Sequence, residues 1–426
     1  MGRNATQMSS SGLLIGLDVG TTSSKAVVFD ESGAAVATGR APTPWQGTEV
    51  AASALLDAAV AAVAQALAEA PAGVVAGLGV TSMAESGVLL DGRGEPVGPV
   101  IAWHDPRDAA EVARFSEEVG AEVFSARTGL PLRSQWSHTK HRWLLDHDPR
   151  ARAAVRRLNV AEWVVRGLGG AEASDISLAS RTGWLDLAEH RWWAESLEWS
   201  GASADLMPPL VTSGTNLGRA RDGGVERLAG AVLTTAGHDH QAATVGAGAA
   251  GPGDQLDSCG TAEALVRTVS AGFPAEGVAK LAGSGITVGW HVLEDRWALL
   301  GATEGGLHLQ RVLAELGGPD MRARLDAAAM ATDPDPPGRS WRAALEEITA
   351  QIATLHDEMT SVVGPHRKMI VTGGWSRSPA LMAVKKARFG ELVHTDVAEA
   401  GARGAALLAG LAAGTYARAD EFPPST

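Results

Sequence analysis

With 426 residues the chain exceeds what a single hydrophobic core ordinarily serves, so two domains, or one with large insertions, are expected, with a cleft between lobes. Its 45% hydrophobic and 20% charged residues lie well outside the range of disordered chains. The formal charge of -13, from 36 basic and 49 acidic residues without a Lys/Arg-rich run, argues against nucleic-acid binding, and the lone Cys259 rules out an internal disulfide or a cysteine metal cluster and fits a reducing cytoplasm.

Residues 1–12 are polar and small, lack the start and apolar core of a secretory signal, and are expected to form a disordered leader. Asn4-Ala5-Thr6 matches the glycosylation pattern, which has no meaning without export. Residues 13–19 form a short apolar run ending in Gly20-Thr21-Thr22-Ser23-Ser24, and a second run covers residues 26–29. This spacing predicts two strands joined by a tight polar turn. A third strand over 34–38 follows the turn residues Asp30 to Gly33. Residues 50–70 contain Asp57 and Glu69 and place Leu55, Leu56, Val60, Val63 and Leu67 at helical spacing, which predicts an amphipathic helix on a sheet rather than a membrane span. A strand over 74–80 comes next. Residues 88–90 and 96–97 flank Asp91-Gly92-Arg93-Gly94 and predict a hairpin.

Residues 105–200 are richer in charge and Trp, with helices expected over 109–119 and 138–145, and read as a substrate-side insertion. After a small-residue break at 248–254, residues 255–261 repeat the strand-into-Gly-Thr turn of the N-terminus, so the second half reads as a duplicate of the first. A break at 333–338 precedes a long helix over 341–363. A strand over 369–372 then runs into Gly373-Gly374. The letters of a dinucleotide loop at 246–251 follow a helical segment and are cut by Pro252, which is the wrong context. No Walker pattern is present, so nucleotide chemistry needs another phosphate cradle.

Asp18, at a strand end beside small hydroxyl residues and exposed amides, suits a turn that surrounds phosphoryl oxygens while the carboxylate holds Mg²⁺. The bland alternative is a hairpin whose Thr and Ser satisfy turn hydrogen bonds. Gly260-Thr261 recreates this turn in the other half, where a facing lobe would supply it. Asp239 lies where the strand containing Ala231-Val232-Leu233 would end, the place for a base that accepts a hydroxyl proton. Two other readings of Gly237 to Gln241 stand beside it: a cap on the next helix and a metal site using His238 and His240.

Taken in order, the turn at 18–29, Trp103-His104-Asp105-Pro106-Arg107, Gly237 to Gln241, Gly260-Thr261, Gly373-Gly374 and residues 399–407 resemble the motifs of the FGGY carbohydrate kinases over almost the whole chain. The resemblance implies an α/β fold of two ribonuclease-H-like domains of the actin and hexokinase type, over residues 13–249 with the insertion and 250–426 on the nucleotide side. It implies ATP and Mg²⁺ as cofactors and a small sugar, ketose or polyol as acceptor. Asp18, Gly20, Thr21, Thr22 and Lys25 would then lie near the phosphates, and Gly260, Thr261 and Gly305 would face them. Gly373 and Gly374 would pack on the adenosine, and Asp239 would be the base, sharing the metal with Asp18. Glu85, which follows the strand over 74–80, Trp103, Asp105, Arg107, His238 and His240 would surround the acceptor. The chain departs from the resemblance in a missing Leu/Pro/Gly/Glu/Arg-rich segment between Gly306 and Met369, and in Ala84, where glycerol kinases have Arg before their Glu. Neither a nucleic-acid nor a membrane partner is expected, and a homodimer is the candidate assembly. Two other function classes fit parts of the chain: a nucleotide-binding regulator or ATPase on the same fold, and a hydrolase centred on His238, Asp239 and His240.

Overall fold

The computed structural model describes residues 12–221 and 225–425; the expected leader, apart from Gly12, lies outside them. A continuous apolar run, buried on both faces, forms β1 (Leu13–Val19), which pairs antiparallel with β2 (Ser23–Phe29), itself antiparallel to β3 (Ala35–Pro42). Helix α1 (Ala52–Glu69) is long and apolar enough by composition alone to cross a membrane. It instead buries Leu55, Ala59, Ala62, Val63 and Ala66 in the core it shares with β2 and β3. The chain then enters β4 (Val75–Ser82), parallel to β1.

The hairpin expected after it is present as a short contact, and the longer ladder of its first arm runs to a distant partner. Gly87–Leu90 pairs antiparallel with Arg156–Asn159, and the turn at 91–94 is closed by the Leu90–Pro96 bridge, by the Asp91 amide on the Glu95 carbonyl at 2.9 Å and by the Val97 amide on the Leu89 carbonyl at 2.8 Å. Proline has no amide to donate to a ladder, whereas Arg156–Asn159 brings the buried Leu158. Helices α2 (Ala109–Glu118), α3 (Ala121–Thr128) and α4 (Ser137–His147) belong to the insertion, which encloses its own cluster of Phe115, Phe124, Trp136 and Trp193. The chain returns as β5 (Val232–His238), parallel to β4, and turns into α5 (Asp239–Gly246). The first sheet has the order β5-β4-β1-β2-β3.

The same plan is repeated by β6 (Asp254–Cys259), β7 (Glu263–Ser270), β8 (Thr287–Trp290), β9 (Arg296–Thr303), β10 (Lys368–Thr372) and β11 (Leu392–His394), in the order β8-β9-β7-β6-β10-β11. In both sheets three antiparallel strands are followed by parallel ones, and β8 is an added edge. Between β9 and β10 lie α6 (Gly305–Glu315) and α7 (Pro336–Val363). The segment read as a break is in part the start of α7: the Asp335 side chain caps it by accepting from the Gly338 amide at 2.8 Å, and Pro336 occupies the first turn, where a missing amide costs nothing.

The last helix, α8 (Ala400–Ala413), lies on the first sheet, with Ala402, Ala405 and Ala406 in one core with Leu14 and Val27. The approach requires glycine. A Cβ at Gly16 would lie 1.7 Å from the Ala402 carbonyl oxygen.

Candidate active site between the two sheets

The carboxyl ends of β1, β4 and β5 converge with the β6–β7 turn and with β9 on a cavity of about 250 Å³, the place where open α/β sheets build their sites. It gathers Thr21, Glu85, Trp103, His238, Asp239 and His240, together with Arg133, Gln135 and Arg181 from the insertion and Ala262 and Ala264 from the second lobe.

Asp18 sits beside Lys25 and Thr81 in the strand register, and its Oδ1 is buried without a hydrogen-bond partner. Asp239 is the first residue of α5, and His238 occupies the cap position before it. The capping alternative does not hold, because Asp239 Oδ1 accepts from the adjacent His240 amide at 2.6 Å, with His238 Nε2 at 3.2 Å. Burial holds Asp18 well above the usual carboxylate range, and the nearby Asp239 raises it further; Asp239 is itself raised, chiefly by burial. A pair of neighbouring carboxyl groups, one with an orphaned oxygen, is a donor set that fits a hard divalent cation. Burial pushes His238 well below its usual range and His240 down to about 4, so both are neutral at neutral pH. They belong to no metal-ligand grouping; the grouping that exists among the described residues is Asp257, Cys259 and Glu263. There the buried Lys385 ammonium already bonds Asp257, at 2.5 Å, and Glu263.

Glu85 follows β4 in a left-handed backbone conformation, φ 65°. Such conformations are costly for a residue with a side chain and concentrate at functional sites. Its carbonyl is held by Ser137 Oγ at 2.6 Å and Arg157 Nη2 at 3.2 Å. Its carboxylate Oε1 receives Arg181 Nε at 2.8 Å and Gln135 Nε2 at 3.2 Å. Glu85 is 4% exposed and the Arg181 side chain 6%, so this is a desolvated ion pair. Trp103 donates from Nε1 to Thr21 Oγ1 at 3.0 Å, fixing the indole against the first turn.

Several expected residues lie elsewhere. Asp105 and Arg107 do not line the cavity. Asp105 Oδ2 receives Arg107 Nη2 at 2.8 Å and the Thr48 hydroxyl, while Arg107 Nη1 reaches Glu49 at 2.5 Å and the guanidinium covers Trp143. Their charges satisfy one another, which makes a structural corner. Lys25 pairs with Glu399 at 3.0 Å, and Thr22 is exposed on the turn. Gly20 opens that turn, its amide bonded to the Ser23 carbonyl at 3.1 Å. On the facing lobe the Gly260-Thr261 turn is packed against the start of α6: Gly305 lies beside Glu263, and a Cβ at Gly306 would be 1.9 Å from the Gly260 carbonyl oxygen. Gly373 follows β10 close to Cys259, and Gly374 faces open space.

Arg133, Gln135 and Arg181 escape a reading by sequence because they come from irregular segments of the insertion. Only the concentration of charge and Trp there pointed to a function.

Two family models match the chain: the N-terminal domain of the FGGY family of carbohydrate kinases over residues 13–246, and the C-terminal domain over 282–413. A glycerol kinase of Janthinobacterium is 31% identical over 96% of this chain and 92% of its own. Among solved structures, Plasmodium falciparum glycerol kinase with ADP superposes with a TM-score of 0.86 at 18% identity, covering 98% and 93% of the two chains. Xylulose kinase from Rhodospirillum rubrum gives 0.84 at 24% identity over 96% and 92%.

Proposed function

We propose, on the premise that this chain belongs to the FGGY family of carbohydrate kinases and is therefore a phosphotransferase with an alcohol acceptor, that it moves the terminal phosphoryl group of ATP to a hydroxyl of a small polyol, ketose or related acceptor bound beside Asp239. The observation that carries this reading is the proximity of two half-buried carboxyl groups, Asp18 near the end of β1 and Asp239 after β5 two strands away, with Asp239 lining a cavity walled by both lobes.

Asp239 takes the proton of the attacking hydroxyl; its raised affinity for protons suits a base working near neutrality. Neutral His238, in reach of Oδ1, and the His240 amide fix the carboxylate's direction. Asp18 and Asp239 are the residues that would hold Mg²⁺, which supplies charge neutralisation for the phosphates. The turns after Gly20 and Gly260, whose own amides close the turns, offer the backbone amides of Thr21 and Thr261 from opposite lobes, so catalysis here is positioning and electrostatics. Trp103 and Glu85 line the acceptor side. Relatives named glycerol kinase and xylulose kinase support a polyhydroxylated acceptor of that size.

The test is a coupled ADP-release screen of the full chain with Mg-ATP over polyols, ketoses and their oxidised forms. ADP formation that requires one acceptor is the expected result. ATP hydrolysis independent of every acceptor would instead identify a nucleotide-driven regulator.

A further inference from the structure

The charges around the acceptor cavity do not cancel. Glu85 and Arg181 neutralise each other in a buried pair at 2.7 Å, and Asp18 and Asp239 are committed to the cation and the proton. Arg133, on the same cavity wall, is left over. The one hydrogen bond of its side chain runs from Nε to Gln135 Oε1 at 2.8 Å, and no carboxylate among the described residues pairs with it.

The side chain is nonetheless held in place. Its guanidinium lies 5.4 Å from the centroid of Trp136, a residue with no exposed surface whose indole Nε1 is tied to the Pro131 carbonyl at 2.7 Å. The Arg181 guanidinium sits 5.1 Å from the same ring. Arg133 is exposed at the cavity wall, yet the desolvation of its guanidinium and the neighbouring Arg181 both disfavour its charge, and Glu85 compensates less. A guanidinium braced at Nε on an aromatic platform presents both Nη groups as a planar fork, the geometry that matches a carboxylate bidentately.

We infer that the acceptor carries an anionic group at the end remote from the phosphorylated hydroxyl, a terminal carboxylate read by Arg133, so that the preferred substrate is a short polyhydroxy acid rather than the neutral polyol of the same length. This rests on the kinase reading for the identity of the pocket. It goes further by assigning charge to the acceptor. The transfer itself is unchanged: the acceptor hydroxyl loses its proton to Asp239, its oxygen bonds to phosphorus and ADP leaves.

The decisive experiment measures equilibrium binding to the full chain with a non-hydrolysable ATP analogue and Mg²⁺ present. The probes are matched pairs of three to six carbons, each an aldonate against the polyol of equal length, with sugar phosphates as a third arm. An aldonate is expected to bind on the order of 10- to 100-fold tighter than its polyol, the range of a charge-assisted pair. Arg133→Gln should abolish the difference, and Arg133→Lys, which keeps the charge but loses the fork, should recover part of it. Unaltered affinity for the ATP analogue shows that the variants are folded. Neutral polyols binding as well as every aldonate, or an aldonate affinity indifferent to Arg133→Gln, overturns the inference; a preference for sugar phosphates overturns the carboxylate in favour of a phosphate. Aldonates that bind through Arg133 yet are never phosphorylated, while a neutral polyol or ketose is, would overturn this inference and leave the kinase reading standing.

Discussion

Asp239 combines two properties that one carboxyl group rarely holds at once: an unusually strong hold on its proton and a fixed direction. Asp239→Asn keeps the shape and the His240 amide contact but removes the basicity, so turnover should fall by roughly 10²-fold or more with nucleotide binding retained. Near-parental turnover would remove it from the role of base. The neighbouring pair also makes a thermodynamic prediction. Both carboxyl groups are raised, so near neutral pH the cation-free protein keeps protons that free carboxyls would have lost. A bound cation favours the ionised forms, so Mg-nucleotide binding should release protons, more at pH 6.5 than at pH 8.5. Calorimetry in buffers of different ionisation enthalpy measures this, and a binding heat independent of buffer contradicts it. Glu85 needs a different test from the one its place in the sequence suggests. Glu85→Gln leaves Arg181 buried without its partner, which costs about 3–5 kcal/mol in comparable pairs. Chemical denaturation should show that loss, and Glu85→Gln with Arg181→Gln should regain part of it; an unchanged midpoint in the single variant would mean the pair contributes nothing.

Among the elements, those whose chemistry is local were legible from the residues alone. The strand carrying Asp18, the strand ending before Asp239 and the repeat of a Gly-Thr turn at Gly260 each bring their own apolar run and turn residues, and the structure places all three where that pattern put them. What escaped depends on partners distant in the chain. Leu90 pairs with Arg156 in addition to its short contact with Pro96, α8 crosses back to Gly16, and the resemblance puts Asp105 and Arg107 near the acceptor while nothing in their spacing discloses Thr48 and Glu49 beside them. Pro336 is ambiguous for another reason: proline marks a break and a helix start equally, and only the Asp335 cap decides. The α6 start offers a test at this scale. A methyl group at Gly306 collides with the Gly260 carbonyl, a backbone group that no rotamer change can move, so Gly306→Ala must displace the turn facing the first lobe. It should raise the ATP KM several-fold or more with little effect on acceptor affinity. Unchanged ATP kinetics would mean that this turn does not touch the nucleotide.

At the scale of the whole molecule, the two sheets are connected by more than the two chain crossings at residues 246–254 and 394–400. The insertion is stitched to the edge strand β8: the Val288 amide donates to the Gly129 carbonyl at 2.7 Å, the Trp290 amide to Ser180 Oγ at 3.0 Å, and Arg181 Nη1 to Thr287 Oγ1 at 2.6 Å. The last of these bonds joins the second lobe directly to the Glu85 ion pair on the acceptor wall. Closure of the lobes on ATP and acceptor would exclude water from the reacting phosphate, and these bonds determine how it can occur. If the stitch persists, the acceptor side is the pivot and the nucleotide side swings. Solution scattering should then show a smaller radius of gyration with ATP analogue and acceptor together than with neither. Amide exchange at Val288 should be slow in both states, because its bond to Gly129 does not open. An unchanged radius at saturation would rule out closure, and a Val288 amide protected only when ligands are bound would move the pivot from this contact to the chain crossings.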